Sequence, residues 1–229
     1  MIARIAVLAS GGGSNLQAIL DHFDALGAAA PGQVVLVASD QSGALALERA
    51  QRRGIEAAAL DKAGRTTGLL PLLQSREVSL VVLAGYMRLV PAEVTRAYLG
   101  RVLNVHPALL PAFGGKGMYG HHVHDAVVSS GVKVTGATVH FVDEQYDRGP
   151  IIAQWPVPVF AADTASTVGI RVLEVEHQLY PRIVAAVAAG IIAIDDAGHV
   201  TGLPPRIRFH HFAPSDAAGA ADAVDDPPA

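Results

Sequence analysis

The chain has 229 residues, of which 51% are hydrophobic and 5% aromatic, and its formal net charge is −4 at pH 7. This length fits one α/β domain, and the abundance of small aliphatic residues favours buried parallel strands over a sandwich. The absence of cysteine excludes disulfides and a cysteine nucleophile, and basic runs no longer than Arg52-Arg53 argue against nucleic-acid binding.

The N-terminal segment predicts a buried strand over 2–9 that leads into a glycine turn. The apolar run is too short to cross a membrane, and the turn occupies the place of a signal-peptide cleavage region. We therefore expect a cytoplasmic protein without membrane partners.

Strands and helices alternate through the first half of the chain. The predicted helices begin at Ser14 or Asn15, cover 43–53, and follow Pro91, while 61–76 has no clear pattern. Further strands are predicted at 33–38, 55–60, 80–84 and 101–105. This order predicts an open, mostly parallel, Rossmann-like sheet with helices on both faces.

The pattern changes in the second half. Strands are predicted at 135–142 and 151–159 around a turn at 147–150, and they extend the sheet with antiparallel strands. A helix at 166–189 and a hairpin at 191–208 follow. We expect one catalytic domain over 1–211 and a disordered tail over 212–229, rich in alanine, aspartate and proline.

The glycine turn predicts a binding site for a phosphate monoester. It comprises Gly11, Gly12, Gly13, Ser14 and Asn15, between a strand and a helix, where backbone N–H groups attract anions. A dinucleotide fingerprint is incomplete, because Leu16 replaces its third glycine and Asp40 lies too far along the chain. The alternative is an ordinary turn capped by Ser14.

Asn104 and His106 form the strongest chemical signal. They are two residues apart at the end of a predicted strand, so their side chains share one face. An amide donor beside an imidazole suits acyl transfer, in which one group holds an oxyanion and the other moves a proton. Asp147 lies in a turn that can return to this strand end, where a carboxylate raises a histidine pKa. Taken singly, each of the three residues also has a purely structural interpretation.

Five motifs in order resemble the phosphoribosylglycinamide formyltransferase family, folate-dependent enzymes of purine synthesis. They are Gly-Gly-Gly-Ser-Asn-Leu-Gln at 11–17, Leu-Ala-Gly-Tyr-Met-Arg at 83–88, Asn-Val-His-Pro-Ala-Leu-Leu-Pro at 104–111, Val-His-Phe-Val at 139–142 and Asp-Arg-Gly-Pro-Ile-Ile at 147–152. The resemblance covers about residues 2 to 190.

The resemblance implies direct transfer of a formyl group from 10-formyltetrahydrofolate to glycinamide ribonucleotide, with no metal and no covalent enzyme intermediate. It implies a catalytic set of Asn104, protonated His106 and Asp147, a phosphate loop over 11–15, and a ribose-binding carboxylate at Glu176. The implied folate contacts are Arg65, Met87, Arg88, Leu89, Val90, Asp143, Glu144, Gln145, Tyr146 and Asp147. The oligomeric state is open, and a homodimer is compatible with the sequence.

The segment after Pro111 departs from the family pattern, because it is longer and richer in glycine. Its histidines, His121, His122 and His124, present either a metal cluster or part of a mobile loop over the site. The glycines at 114–120 favour the loop, from which His121 or His122 can approach a substrate phosphate.

Other functions fit the sequence less well. A methionyl-tRNA formyltransferase carries a sizeable C-terminal RNA-binding domain, and a formyltetrahydrofolate hydrolase carries an N-terminal regulatory domain. A non-catalytic nucleotide-binding module or an NAD-dependent dehydrogenase leaves Asn104, His106 and Asp147 without a purpose.

Overall fold

The computed structural model describes residues 2–195 and 197–202. Its main sheet has seven strands in the order β3-β2-β1-β4-β5-β6-β7. The strands are β1 (Ala3–Leu8), β2 (Gly32–Ser39), β3 (Glu56–Ala59), β4 (Leu80–Leu83), β5 (Val102–His106), β6 (Val134–Phe141) and β7 (Ile151–Pro158), and β8 (Ala193–Ile194) with β9 (Val200–Thr201) forms a separate hairpin. The helices are α1 (Ser14–Leu26), α2 (Leu45–Arg52), α3 (Lys62–Arg65), α4 (Leu69–Ser75), α5 (Ala92–Ala97), α6 (His121–Ser130) and α7 (Ala165–Ala188).

The first five strands are parallel, and β6 and β7 extend the sheet in antiparallel sense. The predicted α/β, mostly parallel fold with an antiparallel extension is therefore confirmed. Parallel strands need crossover connections, which the intervening helices supply. As a result, the carboxyl ends of β1, β2, β4 and β5 lie along one edge of the sheet.

Two apolar cores cover the two faces of the sheet. One contains Leu16 and Ile19 of α1 together with Val172 and Leu179 of α7. The other packs α4 and α5 against strand residues that point the opposite way, such as Leu8. The strands read as continuous apolar runs because both of their faces are buried.

The hydroxyl of Tyr180 fixes the long helix α7 against the sheet. Its oxygen lies 2.9 Å from the carbonyl oxygen of Leu83 and 3.1 Å from that of Leu103, at the ends of β4 and β5. Tyr180 is fully buried. A buried hydroxyl needs such a partner, and here the partners are the strands that lead into the cleft.

Helix content was underestimated in two segments. The stretch 61–76 contains α3 and α4, and 121–130 forms helix α6 where a mobile loop was predicted. The predicted hairpin is confirmed for β8 and β9, whereas its end at Arg208, the domain limit at 211 and the tail at 212–229 lie outside the described residues. Among the helices that the structure describes, none is long and apolar enough to cross a membrane.

Candidate active site

A cleft of about 1310 Å³ lies over the carboxyl ends of the parallel strands. Open α/β sheets bind their ligands at this edge. The catalytic candidates Asn104, His106 and Asp147 line it together, as do Asn15 and Glu176 from opposite ends of the chain. The structure thus brings the predicted set into one place.

Asn104 lies directly opposite His140 in the antiparallel pairing of β5 with β6. Its Nδ2 lies 3.1 Å from His140 Nε2, while His140 Nδ1 lies 2.8 Å from the Phe141 carbonyl oxygen. A carbonyl accepts hydrogen bonds, so Nδ1 carries the proton and Nε2 accepts from the Asn104 amide. His140 therefore orients Asn104.

His106 is buried at the end of β5, between two acceptors. Its Nε2 lies 2.8 Å from the Phe113 carbonyl oxygen, and its Nδ1 lies 3.6 Å from Asp147 Oδ2. Burial lowers the pKa of His106 and outweighs the opposing effects of Asp147 and the Phe113 carbonyl. The Asp147 carboxylate acts on this pKa in the direction predicted from the sequence, but the sequence does not reveal how completely the ring is desolvated.

Asp147 is held in place by the segment that follows β5. Its Oδ2 accepts a 2.8 Å hydrogen bond from the backbone N–H of Gly115, and its Oδ1 lies 3.8 Å from His140 Nε2. The backbone at Asp147 has φ of 55°, an unfavourable value for a residue other than glycine. The carboxylate is thereby directed between His106 and His140.

The turn after β5 is fixed by Thr138, which lies opposite His106 in the strand pairing. Its Oγ1 donates to the Ala108 carbonyl oxygen at 2.6 Å and accepts from the Leu110 N–H at 3.0 Å. Gln154 Nε2 also donates to the Leu110 carbonyl oxygen at 2.8 Å. These bonds hold the exit of β5 and therefore the orientation of His106.

The glycine turn is built differently from a side-chain cap. Gly13 precedes α1 in the left-handed region, with φ of 70°, and the helix start has no side-chain cap hydrogen bond, so the alternative of a cap by Ser14 was wrong. A Cβ on Gly13 would lie 2.9 Å from Ala46, so the close approach of α2 requires glycine. Gly11 and Gly12 are exposed at the surface, and Asn15 lines the cleft.

Asn15 and Glu176 form a buried pair across the cleft floor. Asn15 Nδ2 donates a 2.7 Å hydrogen bond to Glu176 Oε2. Burial raises the pKa of Glu176 to about 7, against the smaller opposing effect of this bond. Asn15 Oδ1 is buried and has no hydrogen-bond partner among residues 2–195 and 197–202. An acceptor is therefore presented to a ligand here.

The comparisons with known proteins agree with this geometry. The formyl transferase family model matches residues 3–184. Phosphoribosylglycinamide formyltransferase of Bacillus subtilis is 38% identical over 192 residues, which cover 79% of this chain and 92% of the relative. This chain belongs to the phosphoribosylglycinamide formyltransferase family.

Solved structures of the family superpose closely. Glycinamide ribonucleotide transformylase 1 of Symbiobacterium toebii has a TM-score of 0.80 and 42% identity, covering 88% of this chain and 94% of that one. The chloroplastic phosphoribosylglycinamide formyltransferase of Vigna unguiculata is 44% identical over 80% of this chain, which spans 60% of that relative's length. A formyltetrahydrofolate deformylase of Pseudomonas syringae, at 24% identity and a TM-score of 0.78, shares the fold.

The folate contacts predicted from the family resemblance divide into two groups in this structure. Seven of them line the cleft: Met87, Arg88, Leu89, Val90, Gln145, Tyr146 and Asp147. Three lie outside the cleft wall formed by the described residues. Arg65 Nη1 is 3.5 Å from the Asp40 carbonyl oxygen, Asp143 accepts from the Gln145 N–H, and Glu144 pairs with Arg96.

Sequence reasoning did not assign a role in this cleft to three residues that line it: His140, Ser10 and Asp40. His140 and Thr138 are two residues apart on β6, so their side chains lie on the same face of the strand. This alternation of polar residues was the sequence pattern from which His140 could have been predicted to face the cleft. Ser10 and Asp40 end neighbouring strands, and Ser10 Oγ donates to Asp40 Oδ1 at 2.5 Å. Asp40 was considered earlier only as a ribose ligand of a dinucleotide.

The histidines of the glycine-rich segment separate from one another in the structure. His121 and His122 open α6, and with Asp125 they place possible ligand atoms within 4.8 Å of one another on the exposed surface. His124 instead turns inward, so that a Cβ on Gly169 would lie 3.0 Å from its ring. The cluster of three histidines considered from sequence is therefore not formed, and Asp125 takes the place of His124.

Proposed function

We propose that the protein transfers the formyl group of 10-formyltetrahydrofolate to the amine of glycinamide ribonucleotide, within de novo purine synthesis. The observation that carries this proposal is the convergence of Asn104, His106 and Asp147 on one cleft in a chain of this family. The chain spans 60% and 65% of the length of the two plant relatives. Its activity is therefore a proposal that an enzyme assay has to test.

The proposed chemistry is an acyl transfer. The substrate amine attacks the formyl carbon, the carbonyl oxygen becomes an oxyanion, and the bond from carbon to the folate nitrogen breaks. Asn104 and protonated His106 stabilise the oxyanion by hydrogen bonding, and oriented donors of this kind act where charge develops. The amine loses a proton and the folate nitrogen gains one, so the transfer needs a group that moves protons.

His106 and Asp147 are suited to this proton movement. Burial favours the neutral ring, while Phe113 O and Asp147 Oδ2 offer an acceptor to each ring nitrogen. The imidazolium is thus stabilised when it forms during the reaction, and the neutral ring is favoured at rest. A histidine held between two acceptors can take up and release a proton as a general base and acid.

The remaining residues account for substrate binding. Asn15 Oδ1 and the Glu176 carboxyl present polar groups to the ribose, next to the glycine turn that receives the phosphate. The segment Met87–Val90 forms the opposite wall and receives the folate. Two small-molecule sites meet at Asn104 and His106, as direct transfer requires.

The test is formyl transfer from 10-formyltetrahydrofolate to glycinamide ribonucleotide, measured with purified full-length protein in the presence of a metal chelator. Turnover that depends on glycinamide ribonucleotide and persists with chelator is expected. Formate release without the ribonucleotide would instead assign hydrolysis, and no reaction would refute a formyltransferase. Cytoplasmic location and a homodimeric state stay predictions.

A further inference from the structure

We propose that Asp40 is a positioning residue that couples the two walls of the cleft, holding the turn at Ser10 and the segment 86–90 in one fixed arrangement. The proposal rests on the proposed function, because it assigns these walls to the substrate and to the folate. It goes further by naming Asp40, whose side chain is almost wholly enclosed by protein groups, as the link between them.

Asp40 directly follows β2, and β1 lies between β2 and β4 in the sheet. Its Oδ1 accepts from Ser10 Oγ at 2.5 Å, and its Oδ2 accepts from Arg88 Nε at 2.9 Å and from Gln41 Nε2 at 3.1 Å. The carboxylate therefore reaches across the end of β1 and joins residues that follow three neighbouring strands.

Ser10 connects Asp40 to the segment 86–90, which is called the folate wall below. Its Oγ accepts a 2.8 Å hydrogen bond from the backbone N–H of Met87, and its own N–H donates to the Gly85 carbonyl oxygen at 3.0 Å. The hydroxyl proton is committed to Asp40, so the oxygen is free to accept from Met87. The backbone of the folate wall is thus fixed through the residue that begins the glycine turn.

The carboxylate is fully engaged by protein groups. The Asp40 side chain is 1% exposed, and burial alone raises its pKa, but the hydrogen bonds from Ser10, Arg88 and Gln41 outweigh burial and lower it. An ionised buried carboxylate has to be paired and hydrogen-bonded, and all these donors come from the walls of the cleft. Asp40 therefore acts on ligands through Ser10 and Arg88.

The Asp40→Asn variant separates positioning from catalysis. Asparagine keeps the shape and one acceptor for Ser10 but loses the charge that pairs with Arg88. We expect about a tenfold rise in KM for the folate, the order of magnitude of one charged hydrogen bond. The value of kcat should change little, because Asn104, His106 and Asp147 remain in place. Asp40→Ala should raise KM further, so that Asp40→Asn is a partial rescue.

Two further measurements complete the test. In a double-mutant cycle, Ser10→Ala and Asp40→Ala should be non-additive in their effects on KM, since each removes the hydrogen bond between these two side chains. Glu56→Gln, which breaks the distant pair with Arg76, is the matched control and should leave KM unchanged. Wild-type KM values in both Asp40 variants, even with lower thermal stability, would overturn the proposal.

Amide hydrogen exchange tests the coupling without any substrate. A failure of the coupling proposal can therefore be distinguished from a failure of the proposed function. In full-length Asp40→Ala protein, exchange should accelerate together in 10–15 and 86–90 and remain unchanged in α7. Acceleration in neither segment, or in one alone, would refute the coupling whatever the enzyme assay shows.

Discussion

At the residue scale, the two histidines that face Asp147 differ in what their ring nitrogens contact. His140 is fixed as one neutral tautomer by the Phe141 carbonyl and the Asn104 amide. An Asp147 oxygen lies near one nitrogen of each ring, 3.6 Å from His106 Nδ1 and 3.8 Å from His140 Nε2, but only His140 Nε2 also receives the Asn104 amide. This difference supports the proposed role of His106 in proton movement and leaves His140 to orient Asn104.

Replacing His106 with alanine should lower kcat by about 10²–10⁴-fold, the contribution typical of a positioned acid or base. Asp147→Asn should also lower kcat, because the imidazolium loses its carboxylate partner while the Gly115 N–H keeps an acceptor. Steady-state kinetics with both substrates measure the effect. His199→Ala is the control, since His199 is exposed and lies outside the cleft. Near-normal kcat in both active-site variants would disprove these roles.

At the element scale, the segment between β5 and α6 has to pass close to Asp147. A Cβ on Gly114 would collide with Leu110 Cδ2 and lie 3.3 Å from Asp147 Cβ. An alanine at position 114 would therefore have to displace the end of the Leu110 side chain and press on Asp147, whereas the backbone itself is unrestrictive, since φ of Gly114 lies outside the left-handed region. This tight contact fixes the distance between the carboxylate and the end of β5.

Gly114→Ala should displace the Asp147 turn and lower kcat. The free energy of unfolding should fall by less than the activation free energy of the reaction rises. The matched control is Gly43→Ala, where an added Cβ meets nothing within 4 Å in the described part of the chain. Kinetics and thermal melting on the same samples separate the two effects. Equal kcat values for the two variants would show that the contact does not matter.

The elements differ in how well their sequences predict them. The central strands were predicted because they are continuous apolar runs between turn residues, and the long α7 because its apolar residues recur at helical spacing. Helix α6 was missed because three histidines obscure its apolar spacing and four glycines precede it, at 114, 115, 117 and 120. The Asn104–His140 contact depends on the register of β5 with β6, which side-chain patterns alone do not specify.

At the scale of the whole molecule, buried ionisable groups set how stability depends on pH. The folded pKa of Glu176, about 7, is above its usual 4.5. Between these values the folded protein holds a proton that the unfolded chain has lost, so this group makes stability fall as pH rises. Burial lowers the pKa of His106 and His140, so these residues make stability fall as pH decreases through 6.5.

Glu176→Gln should remove the loss of stability between pH 4.5 and 7 and leave the histidine effect unchanged. The free energy of unfolding of the variant, relative to wild type, should therefore rise by roughly 3 kcal/mol between pH 5 and pH 8. Urea unfolding at the two pH values measures this free energy. The contribution of the histidines is the same in both proteins, so it cancels in the difference between them. A difference that is independent of pH would mean that Glu176 is ionised in the folded protein.

The long chain separation between residues that meet in the cleft also has a consequence for folding kinetics. The Asn15–Glu176 bond joins residues 161 positions apart, and the Asn104–His140 contact joins residues 36 apart. Such non-local contacts close large chain loops and form slowly. During refolding, helical signal should therefore return before ligand binding does, and a nascent chain acquires its binding site only after α7 has been synthesised.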